Sequence, residues 1–356
     1  MVTSTTMRAM KMTSRSLGSM VTATLITLAI AVQAVIAQGL IGATICGAVS
    51  PDGKLVASGH VDNGIRIWDV ESGRLVRTIV GHRFPVLGVA FSPDGFYLAS
   101  ASMDRTVKVW KTQPDQPVPA PYDNDRPLPV AVFMHKKDVY RAVFSPDGKF
   151  LVSASDDNRA SIWRVEEAKP FSVNVQPSAI LQTKRGVQAV AVSPDAKLIL
   201  TTGMDIVRLW DITSPASPKV LHEFGDLYKV SLRPFNNFNG SVAFSPDGKM
   251  IAAGGAGGVA VWDVQTQREL WRIRAGWSGQ GNGVDFSPDG KFLAAGGGDA
   301  AKIFSLEGKQ VAQLKATGPP RFSPDGKRLL IAGSPLSLWD VETWSLAKEF
   351  AGRVRY

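Results

Sequence analysis

The chain is poor in cysteine. One thiol, Cys46, stands among 356 residues, so no internal disulfide can form. Without a CxxC pair or a Cys/His cluster there is no structural zinc site of the usual spacing, and neither a metal nor a cofactor is expected. Enzyme signatures are missing too: the sequence has no HExxH, Walker or EF-hand loop. Gly276-Trp277-Ser278-Gly279 lacks the spacing of a nucleophile elbow, and the glycines at 254, 255, 257 and 258 lie between strands, with no helix N-terminus to hold phosphate. Dense basic tracts are absent. The net charge is +9, yet the basic runs are pairs, such as Lys136-Lys137, Lys184-Arg185 and Lys327-Arg328, a dispersal that argues against nucleic acid. What is present is a 44% hydrophobic, 20% charged chain with 34 glycines and 22 prolines, enough apolar matter for a large core and enough turn residues for many short strands.

No acid precedes Asp52. A Thr/Ser-rich stretch carrying Arg8, Lys11 and Arg15 gives way to an apolar run from Leu17 to Ala37, the pattern of a secretory signal. Val35 and Ala37 suit a cut after Ala37; a cut after Ala34 is the second choice. An uncleaved signal anchor is the alternative, because about 20 apolar residues can span a bilayer. Either outcome predicts export to the periplasm or the exterior, with membrane contact through an uncleaved leader alone. Residues 1–37 are thus expected to be a signal peptide or anchor, and 38–356 the folded domain. Cys46, preceded by Ile45 and well past the apolar run, reads as an apolar strand residue.

The tetrapeptide Ser-Pro-Asp-Gly recurs at Ser50, Ser92, Ser145, Ser245, Ser287 and Ser323, with Ser193-Pro194-Asp195-Ala196 as a seventh copy. The seven starts lie 42, 53, 48, 52, 42 and 36 residues apart. Pro presets φ at the second position and Gly accepts positive φ at the fourth, so each copy is a tight turn between two antiparallel strands, and its Asp needs no calcium to explain it. From 16 to 18 residues after each turn serine, an alternating stretch closes on an aromatic anchor: Trp68, Trp110, Trp163, Trp210, Trp262, Phe304 and Trp339. A fourth strand follows each anchor, from Arg74 to Val80 in the first unit to Leu346 to Phe350 in the last. Four strands repeated seven times predict an all-β ring of seven small sheets.

These residues resemble the WD40-repeat family, whose members are β-propellers with a period of about 40 to 45 residues per four-stranded blade. The resemblance covers residues 43 to 350 and implies a seven-bladed propeller of four-stranded antiparallel blades behind the N-terminal signal segment. It also implies a Trp, Ser/Thr, His, Asp hydrogen-bonded set in a blade. Blade two supplies His82, Ser100, Asp104 and Trp110, and blade three His135, Ser153, Asp157 and Trp163; their role is expected to be structural. Elsewhere the His position holds Leu40, Thr183, Phe235, Trp277 and Gln313, and blades five and seven lack the Asp. Propellers of the family usually close by lending an N-terminal strand to the last blade. Here the last blade has its own fourth strand, which predicts closure by side-chain packing.

Function is expected to lie on a surface, since a catalytic set is not found. The favoured reading is an exported, non-catalytic, monomeric scaffold for a protein or peptide partner. The alternatives are a propeller enzyme of the hydrolase, lactonase or quinoprotein kind, or a periplasmic accessory similar to TolB-type propellers, which lack regular Trp-Asp anchors. The loops leading into each first strand emerge on one face, and rigidly carried loops concentrate binding residues. This predicts partner contacts at Arg83, Phe84, Lys136, Asp138, Tyr140, Gln188, Phe238, Gln280 and Asn282, flanked by Lys137, Lys184 and Arg185. Aromatic and positive side chains together fit a polar or acidic protein. Phe235 and Trp277 read as packed inside their blades. The Pro-rich stretch 111 to 128 and the stretches 164 to 178 and 225 to 240 read as long loops, the last holding an Asn239-Gly240-Ser241 glycosylation acceptor for a eukaryotic host.

Overall fold

Each repeated serine closes its own turn. In the computed structural model, which describes residues 43–113, 128–165, 172–173, 175–203, 206–214, 216–224, 241–255, 258–273, 283–297 and 299–350, Ser50 Oγ donates to Asp52 Oδ1 at 2.6 Å and accepts the Leu55 N–H at 2.8 Å. The Gly53 N–H reaches the Ser50 carbonyl at 2.9 Å with φ at 72°, and the other five Ser-Pro-Asp-Gly copies put their glycines at φ between 68° and 75°. In the seventh copy Ala196 takes φ 58° and makes the same bond to Ser193 at 2.9 Å. A Cβ is strained there.

The turns build seven sheets, each with four antiparallel strands adjacent in chain order, and the all-β propeller expected from the repeats is what the chain forms. Blade one comprises Thr44–Val49, Leu55–His60, Gly64–Asp69 and Leu75–Val80. The first strands of the later blades are Val86–Phe91, Val139–Phe144, Val187–Val192, Ser241–Phe244, Val284–Phe286 and Pro320–Phe322; their fourth strands are Ala131–Met134, Ala179–Gln182, Lys219–Phe224, Glu269–Ile273, Gln310–Leu314 and Leu346–Phe350. The connection inside blade three is not wholly loop: Ser172–Val173 pairs in parallel with Ala131 and Val132 and gives blade two a fifth strand. This covers backbone groups that an edge would otherwise expose. The N-terminal stretch 1–42, most of the Pro-rich loop and the stretch 225 to 240 lie outside the described residues.

First strands of neighbouring blades touch around the ring, blade one against blade seven included. Each anchor aromatic is packed on the blade before its own. Trp110 joins Ile65, Ile67 and Ile79 of blade one, Trp163 joins Val107, Val109 and Phe133 of blade two, and Trp262 joins Leu209 and Phe224 of blade four. Phe304 does the same on Val259 and Val261. At the seam Trp68 packs on Leu336, Leu338 and Phe350 of blade seven, its ring centroid 5.8 Å from that of Phe350. A Cβ at Gly81 would lie 2.5 Å from the Trp110 ring, so the strand must pass bare there.

A bulge accompanies the anchor in five blades. Trp68 opposes Leu75 and Ile67 opposes Arg77, which leaves Val76 unpaired on the outer strand. The same slip leaves out Leu221, Leu270, Val311 and Ala347. Val76, Leu221, Leu270 and Val311 are exposed apolar residues on the rim, where bulges commonly disrupt edge-to-edge pairing. The residue after the bulge turns toward the next blade: Arg77 Nη1 donates to Lys111 O at 2.8 Å, Trp271 Nε1 to Leu306 O at 2.6 Å, and Lys348 Nζ to Val70 O at 3.0 Å. With Thr44 N–H on Ser334 Oγ at 3.2 Å, the last of these clasps the seam. Among the described residues blade seven draws its four strands from 320–350, and the seam is joined by side-chain packing together with these hydrogen bonds; residues ahead of 43, which closure by a lent strand would involve, lie outside the described residues.

Ala196→Gly removes the strain at the one turn that carries a Cβ. It is expected to raise the unfolding free energy by about 0.5–1 kcal/mol, read from urea denaturation. A loss would show that the turn tolerates alanine.

Candidate interaction face

The loops that lead into the first strands are held from below by the polar sets of blades two and three. Trp110 Nε1 donates to Ser100 Oγ at 2.8 Å, Ser100 Oγ lies 2.6 Å from His82 Nε2, and His82 Nδ1 lies 2.8 Å from Asp104 Oδ2. Asp104 can only accept as a carboxylate, so Nδ1 carries the imidazole proton and the Ser100 hydroxyl donates to Nε2. Burial alone would raise the Asp104 carboxyl; the His82, Thr106 and Arg83 N–H bonds outweigh it and hold the group well below the usual range. Burial lowers His82, against the pull of Asp104, which keeps the ring neutral. Blade three repeats the chain through Trp163, Ser153, His135 and Asp157 at 2.7, 2.7 and 3.0 Å. Here Arg159 stands where blade two has Thr106, and Asp157 Oδ1 is left buried without a partner. All eight residues named from the resemblance stand in these two hydrogen-bonded chains.

In blade one Leu40, which holds the family's His position, lies outside the described residues, and a histidine of the blade's own strand meets the serine instead. Its serine finds a histidine two residues on in the same strand: Ser58 Oγ lies 2.7 Å from His60 Nε2 and accepts from Trp68 Nε1 at 2.9 Å. Asp62, freed from that duty, pairs with Arg66 at 2.5 Å. Blade four retains Trp210 on Thr201 at 2.8 Å, and blade seven Trp339 on Ser337 at 3.0 Å.

These sets position a surface. Asp104 Oδ2 also accepts the Arg83 N–H at 3.1 Å, and Asp157 Oδ2 the Lys136 N–H at 3.1 Å. The residue after each buried histidine is thereby fixed with its side chain outside. Arg83, Arg105, Lys136, Lys137, Lys184 and Arg185 are exposed across three consecutive blades, and Phe84 stands among them 55% exposed. Lys137 meets Asp156 at 3.3 Å. Other predicted contacts lie deeper. Tyr140 and Gln188 are buried, at 7% and 4% exposure, and Asp138 is half-buried. Tyr140 and Gln188 are buried first-strand residues, which corrects the expectation that they point outward, while Asp138 lies just ahead of its strand. Burial and the Asp156 charge raise the Asp138 carboxyl, and burial with both acids raises the Tyr140 hydroxyl. Phe238, Gln280 and Asn282, with Phe235 and Trp277, lie outside the described residues.

Comparison with known proteins decides the family. Five stretches, residues 42–69, 73–111, 128–164, 240–263 and 278–305, match the family model described as WD domain, G-beta repeat, and they fall on blades one, two, three, five and six of a seven-bladed ring. The chain belongs to the WD40-repeat family. Among similar WD40 and other proteins, nuclear distribution protein PAC1 of Arthroderma otae is 33% identical over 212 residues, 56% of this chain and 40% of that protein. A periodic tryptophan protein 2 homologue of Dictyostelium discoideum is 36% identical over 221 residues, 59% of this chain and 18% of its own length. Eukaryotic translation initiation factor 3 subunit I of Candida albicans is 25% identical over 263 residues, 62% and 68% of the two chains. The matched region spans less than half the length of the first two relatives. The expectation of export is overturned by this comparison: nuclear distribution and translation initiation are tasks inside a eukaryotic cell, and the periplasmic or extracellular placing is withdrawn. Among the described residues no helix is long and apolar enough to cross a membrane, and no three His, Cys, Asp or Glu converge as a metal cluster.

Asp104→Asn is expected to cost about 1–3 kcal/mol at pH 7, because a buried charged hydrogen bond is lost. The sign follows from linkage: a carboxyl depressed below 3.8 stabilises the fold above that pH and loses its contribution below it. Denaturant titrations should show the gap between the two proteins closing below about pH 3. A gap independent of pH would contradict the ionised role.

Proposed function

We propose that this WD40 propeller is a non-catalytic scaffold that binds an acidic protein or peptide on the face where the loops into blades two, three and four emerge. The observation that carries the reading is the arc of exposed Arg83, Lys136, Lys137, Lys184 and Arg185 at corresponding positions of consecutive blades, with the exposed Phe84 beside Arg83. Arginine and aromatic side chains are common energetic anchors of interfaces, and cations on a rigid rim speed encounter with an acidic partner. Asp104 and Asp157, by holding the Arg83 and Lys136 N–H groups, reduce the ordering cost that a mobile loop would incur on binding. The buried Tyr140 and Gln188 support this surface from beneath. That the relatives include a nuclear distribution protein and a subunit of a translation initiation factor is in keeping with work done through association.

Phe84 and Phe96 make a matched pair for the test, since both are exposed aromatics of blade two and Phe96 follows the Ser92 turn at the other end of its strand. A photo-crosslinking residue at 84 should capture a partner in cell extract, and Arg83→Glu with Lys136→Glu should reduce that capture at least tenfold. The same residue at 96 should capture it no better than background. Equal or stronger capture from position 96 would place the interface on the turn face and overturn the assignment.

A further inference from the structure

The end of the central channel that lies among the Ser-Pro-Asp-Gly turns holds charges that the interaction face does not use. Two residues before the turn serine, blades one, two and three present Ala48, Ala90 and Val143 to the channel. In blades six and seven the same position holds Asp285 and Arg321, and blade three adds Arg141 two residues further up its strand. Together they line a cavity of about 380 Å³, floored by the prolines of four turns.

Two guanidiniums share this space with one carboxylate. Arg141 Nη1 donates to Leu87 O at 3.2 Å; Arg321 Nη1 lies 3.0 Å from Val284 O and 3.1 Å from Pro320 O. Asp285 Oδ2 accepts the Phe322 N–H at 2.7 Å. Among the described residues neither guanidinium forms an ion pair, and a guanidinium has five N–H donors of which these carbonyls engage few. Room for Arg141 comes from Gly88, where a Cβ would sit 2.9 Å from the Tyr140 carbonyl and 3.5 Å from Arg141 Cδ. Burial, and then the charge of Arg321, lower Arg141 to about 10, so it stays cationic at neutral pH; burial raises the Asp285 carboxyl against the pull of Arg321. Two half-buried like charges balanced by a single carboxylate are costly, and an anion supplied from outside lowers that cost.

We propose that this end of the channel is a binding site for a phosphate oxyanion, free or as a phosphomonoester, held between Arg141 and Arg321. A tetrahedral dianion can take parallel N–H pairs from two planar cations at once, whereas a single carboxylate satisfies one. Asp285 limits the affinity, because its negative form repels the ligand. The ligand bridges blades three and seven across the ring, and the site lies at the opposite mouth from the basic arc, so the two can fail separately.

The experiment is calorimetric titration of the full chain with sodium phosphate, with O-phosphoserine and with sodium acetate, at ionic strength fixed by sodium chloride. Saturable binding of one phosphate or one phosphomonoester per chain is expected, the tighter of the two identifying the source, with acetate at least tenfold weaker. Arg141→Gln and Arg321→Gln should each weaken binding at least tenfold, their folds checked by circular dichroism. Asp285→Asn, which keeps an acceptor for the Phe322 N–H and removes the repelling charge, should bind several-fold more tightly than the parent. Absence of saturable phosphate binding, affinity unchanged in both arginine variants, acetate binding as tightly as phosphate, or weaker binding by Asp285→Asn would each overturn the proposal.

Discussion

An aromatic ring laid across a blade boundary is the contact on which this molecule depends. A four-stranded sheet of some two dozen residues cannot bury both of its faces by itself, and each blade must borrow its neighbour's apolar surface. The anchor at the end of the third strand meets that need in one direction round the ring. Trp110 serves blade one, Trp163 blade two, Trp262 blade four and Phe304 blade five, while Trp68 reaches across the seam to blade seven. Because the direction is the same in each case, the pattern has no natural start, and the seam between blades one and seven is built like the other boundaries. The bulge beside the anchor adds a polar clasp at the rim, as with Arg77 and Lys348.

The buried polar sets do a different job. In blades five and six Trp262 and Phe304 are buried among apolar side chains, aromatic rings among them. In blades two and three the histidine and aspartate reach the far end of the sheet and fix the backbone of the next loop through the Arg83 and Lys136 N–H groups. Rigidity is thus concentrated under the segment of surface that carries the basic arc. A charged side chain presented from a fixed backbone loses less entropy when it binds, so the placement of these sets bears on recognition as well as on stability.

Much of this was readable in the sequence because the repeat states it seven times. Turn, strand and anchor recur in register, so the blade count, the fourth strands and the buried anchors all follow from Ser50, Trp68 and their copies. What was not legible came from contacts between repeats or from single departures. His60 acts from within its own blade's strand, where a search at the family's position finds Leu40. Arg77, Trp271 and Lys348 are unremarkable rim residues until a bulge turns them to the next blade. Arg141, Asp285 and Arg321 lie 144 and 36 residues apart in sequence and meet only because the ring closes. Tyr140 and Gln188 mislead in the opposite sense, since a polar tip near a loop reads as surface while the ring buries it. The N-terminal charge pattern lies outside the described residues, and it was the relatives, through PAC1 and the translation factor subunit, that overturned the expectation of export.

If the anchors hold the ring, the seam is the place to ask. Trp68→Ala removes the ring from between blades one and seven, and urea unfolding followed by far-ultraviolet circular dichroism reads the result. A single cooperative transition weakened by about 3–5 kcal/mol, matched by Trp110→Ala at an interior boundary, is the outcome the account predicts. A midpoint unchanged from the parent, or a separate early transition in which one blade melts while the others persist, would contradict it.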